Sequence, residues 1–323
     1  MTTMKAAIRR KYGSPETILI KNMTQPLPAK NEVLVKVYTT TVNRTDCANL
    51  TAKPIIMRFI LGFFKPRRIV LGTDFAGEIL SIGANVKSFS AGMKVFGFKD
   101  TGTNSQAEYL TAGADDLFVI PSDLNFKQAV ASIEGAHYAY TFIQKAKLKS
   151  GQKIFINGAT GAIGSALLQL VRQYDVEVDA SCNTKNLALI KSLGAQKVYD
   201  YTKEDFTKDL QQYDFIFDAV GKSTFGKCRH LLKKGGLYIS SELGPYAQNI
   251  FFALFTPIFG GKKVIIPVPY LMKQSMPFII EALNKEIFRP VIDREYPLDR
   301  ISEAYAYVIS GEKTGNVVID IRP

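Results

Sequence analysis

Residues 153–164 of this 323-residue chain read KIFINGATGAIG. Residues 153–157 are an apolar run that predicts a buried strand, and the amphipathic stretch 165–174 predicts a helix after the glycines. Small residues at such a turn let the backbone approach a pyrophosphate, whose charge the unpaired N–H groups at the helix start stabilise. The stretch therefore predicts a dinucleotide-binding loop; the alternative is a turn that only packs the helix tightly. The predicted contacts are Gly158, Thr160, Gly161, Ala162, Ile163 and Gly164.

Strand-like and helix-like segments alternate after this loop. Strands are expected at residues 176–180, 197–199, 214–220, 237–241 and 263–266, with a helix at 186–193. This alternation predicts a doubly wound parallel sheet. The first ~120 residues instead show short strand patterns punctuated by glycine, which predict a compact, barrel-like β domain. We therefore expect an α/β protein with a β-rich domain over residues 1–124 and 268–323 and a dinucleotide-binding domain over residues 125–267.

The composition is that of a globular protein, with 46% hydrophobic and 22% charged residues. No apolar stretch reaches the roughly 18–20 residues that span a bilayer, and the N-terminus lacks the apolar core of a signal peptide. The three cysteines are scattered and cannot form a disulfide framework. A reduced, cytoplasmic location is therefore expected.

The formal net charge of +12 is spread along the chain, and no nucleic-acid-binding motif accompanies it. We therefore expect no nucleic-acid partner. Residues 57–68, MRFILGFFKPRR, are an exception because large apolar residues alternate with basic ones. The segment is interpreted as a helix packed beside a binding pocket, with a weak peripheral membrane contact as the alternative.

Seven segments together resemble the medium-chain dehydrogenase/reductase superfamily, and within it the zinc-free quinone oxidoreductase-like branch. The ~150 residues that precede the glycine loop agree with this superfamily and not with short-chain reductases, whose glycine pattern lies near the N-terminus. The resemblance implies a GroES-like catalytic domain and a Rossmann cofactor domain. The segments are TVNRTD (41–46), LGTDFAGE (71–78), EGAHYA (134–139), the glycine loop, KSLGA (191–195), FDAVG (217–221) and KTGNVVI (313–319).

The residues at the expected metal positions argue against zinc. A catalytic zinc needs three protein ligands drawn from Cys, His and carboxylates. Zinc-dependent relatives have a Cys where this chain has Asn43 and a His where it has Thr73, and neither replacement is a usual zinc ligand. We therefore expect no metal; a zinc-dependent alcohol dehydrogenase is the alternative.

Without a Lewis acid, the resemblance implies acceptors that are already electron-poor, namely quinones or α,β-unsaturated carbonyls. Carried over from the family, Asn43 donates a hydrogen bond to substrate or nicotinamide and Asp46 orders the pocket wall. His137 and Tyr138 line its floor. For Asp46 the alternative is a structural cap, and for His137 a hydrogen-bonded packing residue. No obligatory general acid is evident.

The end of the second strand decides which nicotinamide cofactor is expected. An acid there would bind the ribose 2′-hydroxyl of NADH and repel the 2′-phosphate of NADPH. The slot holds Ser181 instead, and Lys185 follows with a positive charge, so we expect NADPH. The remaining predicted cofactor contacts, several of them implied by the resemblance, are Asn183, Asn186, Tyr201, Val220, Ser241, Leu243 and Asn316.

Residues 251–259, FFALFTPIF, are too apolar for a solvated loop. They predict an interface or a pocket lid. Because relatives often dimerise through the cofactor domain, the resemblance implies a homodimer. A non-catalytic dinucleotide-binding or membrane-associated protein is the alternative from another functional class.

Overall fold

A computed structural model describes residues 2–259 and 261–322. Its strands are β1 (Thr3–Ile8), β2 (Leu19–Thr24), β3 (Glu32–Val42), β4 (Asp74–Ile82), β5 (Lys94–Phe98), β6 (Tyr109–Gly113), β7 (Phe118–Val119), β8 (Lys153–Asn157), β9 (Glu177–Cys182), β10 (Lys197–Asp200), β11 (Tyr213–Asp218), β12 (Leu232–Ser240), β13 (Lys263–Ile265), β14 (Ile292–Pro297) and β15 (Asn316–Asp320). Its α-helices are α1 (Arg44–Thr51), α2 (Met57–Leu61), α3 (Phe126–Ala131), α4 (Glu134–Ala146), α5 (Ala162–Leu170), α6 (Leu187–Ser192), α7 (Phe225–Cys228), α8 (Gln248–Phe259), α9 (Met272–Asn284) and α10 (Ile301–Ser310).

The chain divides into two compact units. Unit 1 comprises Met1–Glu134 and Val291–Pro323, and unit 2 comprises Gly135–Pro290. Among residues 2–259 and 261–322, the structure contains no helix with the length and apolarity needed to cross a bilayer.

Unit 1 is the β-rich domain that the sequence predicts. Its larger sheet has the order β14-β15-β3-β4-β5-β7, with β6 paired to β3, and β1 pairs with β2 in a second sheet. The long strand β3 organises the larger sheet because it pairs antiparallel with β4, β6 and β15. Its last residues, Thr41 and Val42, lie opposite Val318 and Val317 of β15. The chain leaving β3 is therefore brought beside the segment that enters β15.

Unit 2 is the doubly wound parallel sheet that the sequence predicts. Its strand order is β10-β9-β8-β11-β12-β13, and each neighbouring pair is parallel. In the order of the chain within this unit, that is the 3-2-1-4-5-6 arrangement of dinucleotide-binding folds. The order reverses between β8 and β11, and ligands of such folds bind outside the carboxyl ends of the strands at that point. The glycine loop follows β8 at this place.

The boundaries between the units differ from the predicted domain limits at 124/125 and 267/268. Helix α3 belongs to unit 1, where Thr39 Oγ1 donates to Phe126 O at 2.9 Å and the rings of Tyr38 and Phe126 stack at 4.5 Å. Helix α9 belongs to unit 2, where Ser275 Oγ lies 2.7 Å from His137 Nδ1. These contacts join residues far apart in sequence. The change from strand-like to helix-like composition therefore could not locate the boundaries between the units.

Candidate functional site

A row of polar residues crosses the carboxyl edge of the parallel sheet in unit 2. Ser181, Asn157, Asp218 and Ser240 lie in register on four adjacent strands, and all four are buried. Ser181 Oγ donates to Asn157 Oδ1 at 2.7 Å, and Asn157 Nδ2 donates to Asp218 Oδ1 at 3.0 Å. At the far side, Ser240 Oγ donates to Asp218 Oδ2 at 3.4 Å. The row is thus one hydrogen-bonded chain.

This row also fixes the backbone of the two loops that follow β8 and β11. The amide of Gly158 donates to Ser181 Oγ at 3.3 Å, and the amide of Gly221 donates to Asp218 Oδ1 at 2.9 Å. Tyr238 supports the same carboxylate, since its hydroxyl donates to Asp218 Oδ2 at 2.7 Å. The glycine loop is therefore held from below by side chains, which leaves its outer face available.

The three glycines of the loop have three different physical roles. Gly158 has φ of +82°, and a Cβ there would lie 2.6 Å from Val220 Cβ. A Cβ on Gly164 would lie 2.2 Å from the carbonyl oxygen of Gly158, so helix α5 packs closely on the turn. A Cβ on Gly161 would meet no atom nearer than 3.8 Å. The fold itself does not require a glycine at 161, which fits a position kept small for the approach of a pyrophosphate.

The predicted specificity residues lie around the ends of β9 and β10. The hydroxyl of Ser181 bonds to the row described above and faces inward, so the structure gives this residue a supporting role that differs from the predicted contact with a 2′-phosphate. Asn186 Nδ2 donates to Asn183 Oδ1 at 2.7 Å, which closes the short turn. Lys185 on that turn and Tyr201 after β10 are both exposed.

Asp200 is a residue of this region that the sequence reasoning missed. Its carboxylate accepts a 2.5 Å bond from Thr184 Oγ1 and bonds from the amide and hydroxyl of Thr202. These hydroxyl bonds lower the pKa of Asp200 below its ordinary value. The carboxylate therefore braces the turn that carries Lys185.

Ser241 and Leu243, the other predicted contacts beyond β12, are half-buried, as is Val220 beyond β11. The Oγ of Ser241 is buried and makes no hydrogen bond to any described residue. An orphaned hydroxyl at the carboxyl edge of this sheet fits a site that a polar ligand completes. Together with the free space beside Gly161, this hydroxyl indicates that the residues present suit a dinucleotide.

His137 and Tyr138 lie on α4 in unit 2. His137 is buried, and burial lowers its pKa to about 4, so the imidazole is neutral near pH 7. Its Nδ1 lies 2.7 Å from Ser275 Oγ, and its ring meets that of Tyr138 edge-on at 5.8 Å. This geometry supports the alternative of a hydrogen-bonded packing histidine.

Asn43 and Asp46 lie together at the start of α1 in unit 1. Asn43 is the N-cap residue, and its backbone N–H donates to Asp46 Oδ2 at 2.9 Å. Thr73 Oγ1 donates to Asp46 Oδ1 at 3.1 Å, so both carboxylate oxygens are used within the protein. The geometry supports a structural cap for Asp46.

The side chain of Asn43 is oriented by three partners. Its Nδ2 donates to Thr41 Oγ1 at 2.8 Å and approaches Asn316 Oδ1 at 3.5 Å. Its Oδ1 accepts a 3.1 Å bond from Nζ of Lys313. Asn316, a predicted cofactor contact, also donates from Nδ2 to the carbonyl of Val291 at 3.1 Å. Lys313 belongs to the family segment 313–319, but nothing in the sequence indicates its contact with Asn43.

Several titratable side chains of unit 1 are buried and raise one another's pKa. Burial raises the pKa of Asp46 and of Asp74 above their ordinary values, and burial and then Asp46 raise that of Glu134. Glu134 Oε1 accepts a 2.6 Å bond from Thr45, whereas Oε2 is buried with no hydrogen-bond partner in the part of the chain that is described. Burial lowers the pKa of Lys313 to about 8, against the opposing effect of Glu134. Lys313 is thus mostly protonated at pH 7 and loses its proton as the pH rises through about 8.

The residues at the metal positions of zinc-dependent relatives do not fit zinc. Thr73 Oγ1 donates a hydrogen bond to Asp46. The side-chain amide of Asn43 is hydrogen-bonded to Thr41 and Lys313. The thiol of Cys47, on helix α1, is buried, and burial raises its pKa, which opposes the thiolate that zinc needs. Across residues 2–259 and 261–322, no three His, Cys, Asp or Glu side chains are grouped as a metal site requires. An ammonium 3.1 Å from Asn43 would also repel a divalent cation.

Comparison with known proteins matches both units. Residues 29–159 match the family described as alcohol dehydrogenase GroES-like domain, and residues 193–319 match the family described as zinc-binding dehydrogenase. The chain is 29% identical over 334 residues to 2-methylene-furan-3-one reductase of Solanum lycopersicum, covering 98% of this chain and 79% of that protein. It is 27% identical to the NADPH-dependent alkenal/one oxidoreductase of Arabidopsis thaliana chloroplasts, with coverage of 98% and 79%.

Solved structures with a similar fold are also found. The quinone oxidoreductase from Coxiella burnetii superposes with a TM-score of 0.87 at 23% identity, covering 99% of this chain and all of that chain. The predicted resemblance and the predicted fold class are confirmed, and the relatives support a nicotinamide dinucleotide as the cofactor. The chain is an oxidoreductase of the medium-chain dehydrogenase/reductase superfamily and belongs to its quinone oxidoreductase-like branch.

Proposed function

We propose that the protein reduces a quinone or an α,β-unsaturated carbonyl with NADPH and without a metal. The observation that carries this proposal is the contact between Lys313 Nζ and Asn43 Oδ1, which puts an ammonium group beside the position of the first zinc ligand in zinc-dependent relatives. The names of the relatives, a furanone reductase, an alkenal/one oxidoreductase and a quinone oxidoreductase, support the acceptor class. NADPH would supply the hydride, and the loop over residues 158–164 would hold its pyrophosphate.

We propose that Lys313 stabilises the negative charge that develops on the acceptor. When hydride adds to carbon, the displaced electron pair moves onto the conjugated oxygen, which gains negative charge. An ammonium group has three N–H donors, and in the described residues Lys313 gives one to Asn43 Oδ1 and one to the carbonyl of Gly315. The third can donate to the oxygen. Asn43 acts as a positioning residue for Lys313, a role different from the direct donor expected from the sequence.

We also propose a homodimer formed through unit 2. Four side chains of α8 (Phe251, Leu254, Phe255 and Ile258) are spaced along one face and more than half exposed. The helix lies beside β13, the strand at the end of the sheet order, and Val264 on that strand donates its amide to Thr256 of α8. The face has no charged residue within 248–259, and two such faces would cover each other.

The metal-free part of the proposal predicts that chelation leaves activity intact. Asn43 and Thr73 are bonded within the protein and are not zinc ligands. After exhaustive dialysis against a chelator, NADPH oxidation with a quinone or an enone should stay within about twofold of the untreated rate. Loss of activity together with one equivalent of zinc, and its return on adding zinc, would contradict the proposal.

The glycine loop predicts different effects for two valine substitutions. Gly161→Val should leave a folded protein that no longer binds NADPH measurably, because the new side chain occupies free space next to the turn. Gly164→Val is the contrasting variant and should lower the Tm strongly, because its Cβ would lie 2.2 Å from the Gly158 carbonyl. Circular dichroism and fluorescence titration measure the two effects. A folded Gly161→Val protein with normal NADPH affinity would show that the loop does not hold phosphate.

The exposed turn at the end of β9 predicts a preference for NADPH over NADH. A charge-assisted contact from Lys185 to the 2′-phosphate would contribute roughly tenfold in kcat/KM at this exposed position. Lys185→Gln should remove that preference. Adding Asn183→Asp should turn the preference toward NADH through repulsion of the 2′-phosphate, and the new carboxylate can still accept the bond from Asn186. Equal use of NADH and NADPH by the wild type would show that the turn is wrongly assigned.

The role of Lys313 predicts a pH profile. Its pKa is lowered to about 8, and only the protonated form carries the charge, so kcat should fall as the pH rises through about 8. Lys313→Met should lower kcat by roughly 10²–10³-fold, as for loss of one donor to an oxyanion. Lys313→Arg should keep part of the activity and abolish the decline near pH 8. Unchanged kcat in Lys313→Met, or a loss confined to NADPH affinity, would contradict a role toward the acceptor.

A further inference from the structure

Residues 55–64 carry a group of large apolar side chains that project from unit 1. Six of them are more than half exposed, with values of 51–90%. Single exposed apolar residues are ordinary on protein surfaces, whereas a contiguous group of this size needs a covering partner. We call this group the apolar projection; its members are Ile55, Ile56, Phe59, Ile60, Phe63 and Phe64.

The inner side of the apolar projection is fixed to unit 1. Helix α2 ends at Leu61, which is buried, and Gly62 follows with φ of +122°. The Gly62 carbonyl accepts a 2.7 Å bond from the hydroxyl of Tyr12, and the amide of Arg67 donates to Leu61 O at 2.8 Å. The guanidinium of Arg58 lies over the Tyr12 ring at 5.4 Å. The exposed side chains are thus held on an anchored turn.

Within the sequence, the charges that flank the apolar projection have one sign. Lys53, Lys65, Arg67 and Arg68 are exposed, and residues 47–73 contain five Lys or Arg and no Asp or Glu. Rings of Phe59 and Phe64 each pack against Phe63, at 5.5 and 5.0 Å. Aromatic and aliphatic residues rimmed by cations are the features of a segment that enters the interface of an anionic bilayer.

We propose that the apolar projection docks this protein on anionic phospholipid. The apolar side chains would enter the boundary between headgroups and acyl chains, and the four exposed cations would contact the phosphates. A second copy of the chain fits less well, because two such surfaces would bring their cations together. This proposal is independent of the acceptor and of the cofactor.

Co-sedimentation with large unilamellar vesicles tests the proposal on the full chain. The wild type is expected to pellet with vesicles of phosphatidylglycerol and phosphatidylcholine, to bind pure phosphatidylcholine far less, and to dissociate as salt is added. Replacing both Lys65 and Arg67 with Gln should weaken binding roughly thirtyfold, since each cation near an anionic surface contributes about 1 kcal/mol.

A matched pair of variants distinguishes membrane docking of the apolar projection from its burial by another partner. The change Phe59→Asp with Phe64→Asp should lower vesicle binding by more than about tenfold, through lost apolar area and added charge. The change Phe251→Asp with Leu254→Asp alters net charge equally on the α8 face and should keep vesicle binding. This second variant also tests the proposed homodimer, since it is expected to sediment as a monomer. All four side chains are exposed, and circular dichroism checks that both variants fold.

Three results would overturn the membrane proposal. The first is wild-type protein that stays in the supernatant with anionic vesicles at low salt. The second is vesicle binding that the Phe59 and Phe64 changes leave unaltered while the sedimentation mass stays that of the wild type. The third is a smaller sedimentation mass in that variant with no change in vesicle binding, which would make the projection an interface between copies of the chain.

Discussion

The hydrogen-bonded row Ser181–Asn157–Asp218–Ser240 is the constraint on which the cofactor side of the structure depends. Parallel strands expose unpaired polar groups where they end, and this row satisfies them with side chains from four neighbouring strands. The same atoms fix the amides of the loops after β8 and β11. The protein's own side chains thus support the start of the glycine loop, which suits the loop to present a preformed surface to pyrophosphate.

Unit 1 meets a different physical demand, that of burying titratable side chains close to one another. Asp46, Asp74 and Glu134 are buried with raised pKa values, and Lys313 has a lowered one. Lys313 is half-buried, and in the proposal this reduced access of water strengthens the interaction of its ammonium with a developing oxyanion. A lysine can therefore do part of what a Lewis acid does in metal-dependent relatives, provided that the acceptor is already electron-poor.

The sequence was most informative where structure is determined locally. The strand, turn and helix around residues 153–170 could be predicted because small residues and apolar periodicity act over a few positions. The link between Lys313 and Asn43 could not be predicted, because 270 residues separate them and the pairing of β15 with β3 brings their segments together. The inward hydroxyl of Ser181 was missed for the same reason: its partner, Asn157, lies on another strand. The site residues that remain predictions are those whose partner would be the cofactor.

The central claim is that hydride passes from the nicotinamide to an electron-poor carbon without a metal. Metal-depleted protein can be given an enone and NADPH labelled with deuterium at C4, prepared in each of its two stereochemical forms. Mass spectrometry of the reduced product then locates the label. The account predicts one deuterium on the β carbon from one of the two labelled forms and none from the other. A product without deuterium from either form, or labelling that appears only after zinc is restored, would contradict it.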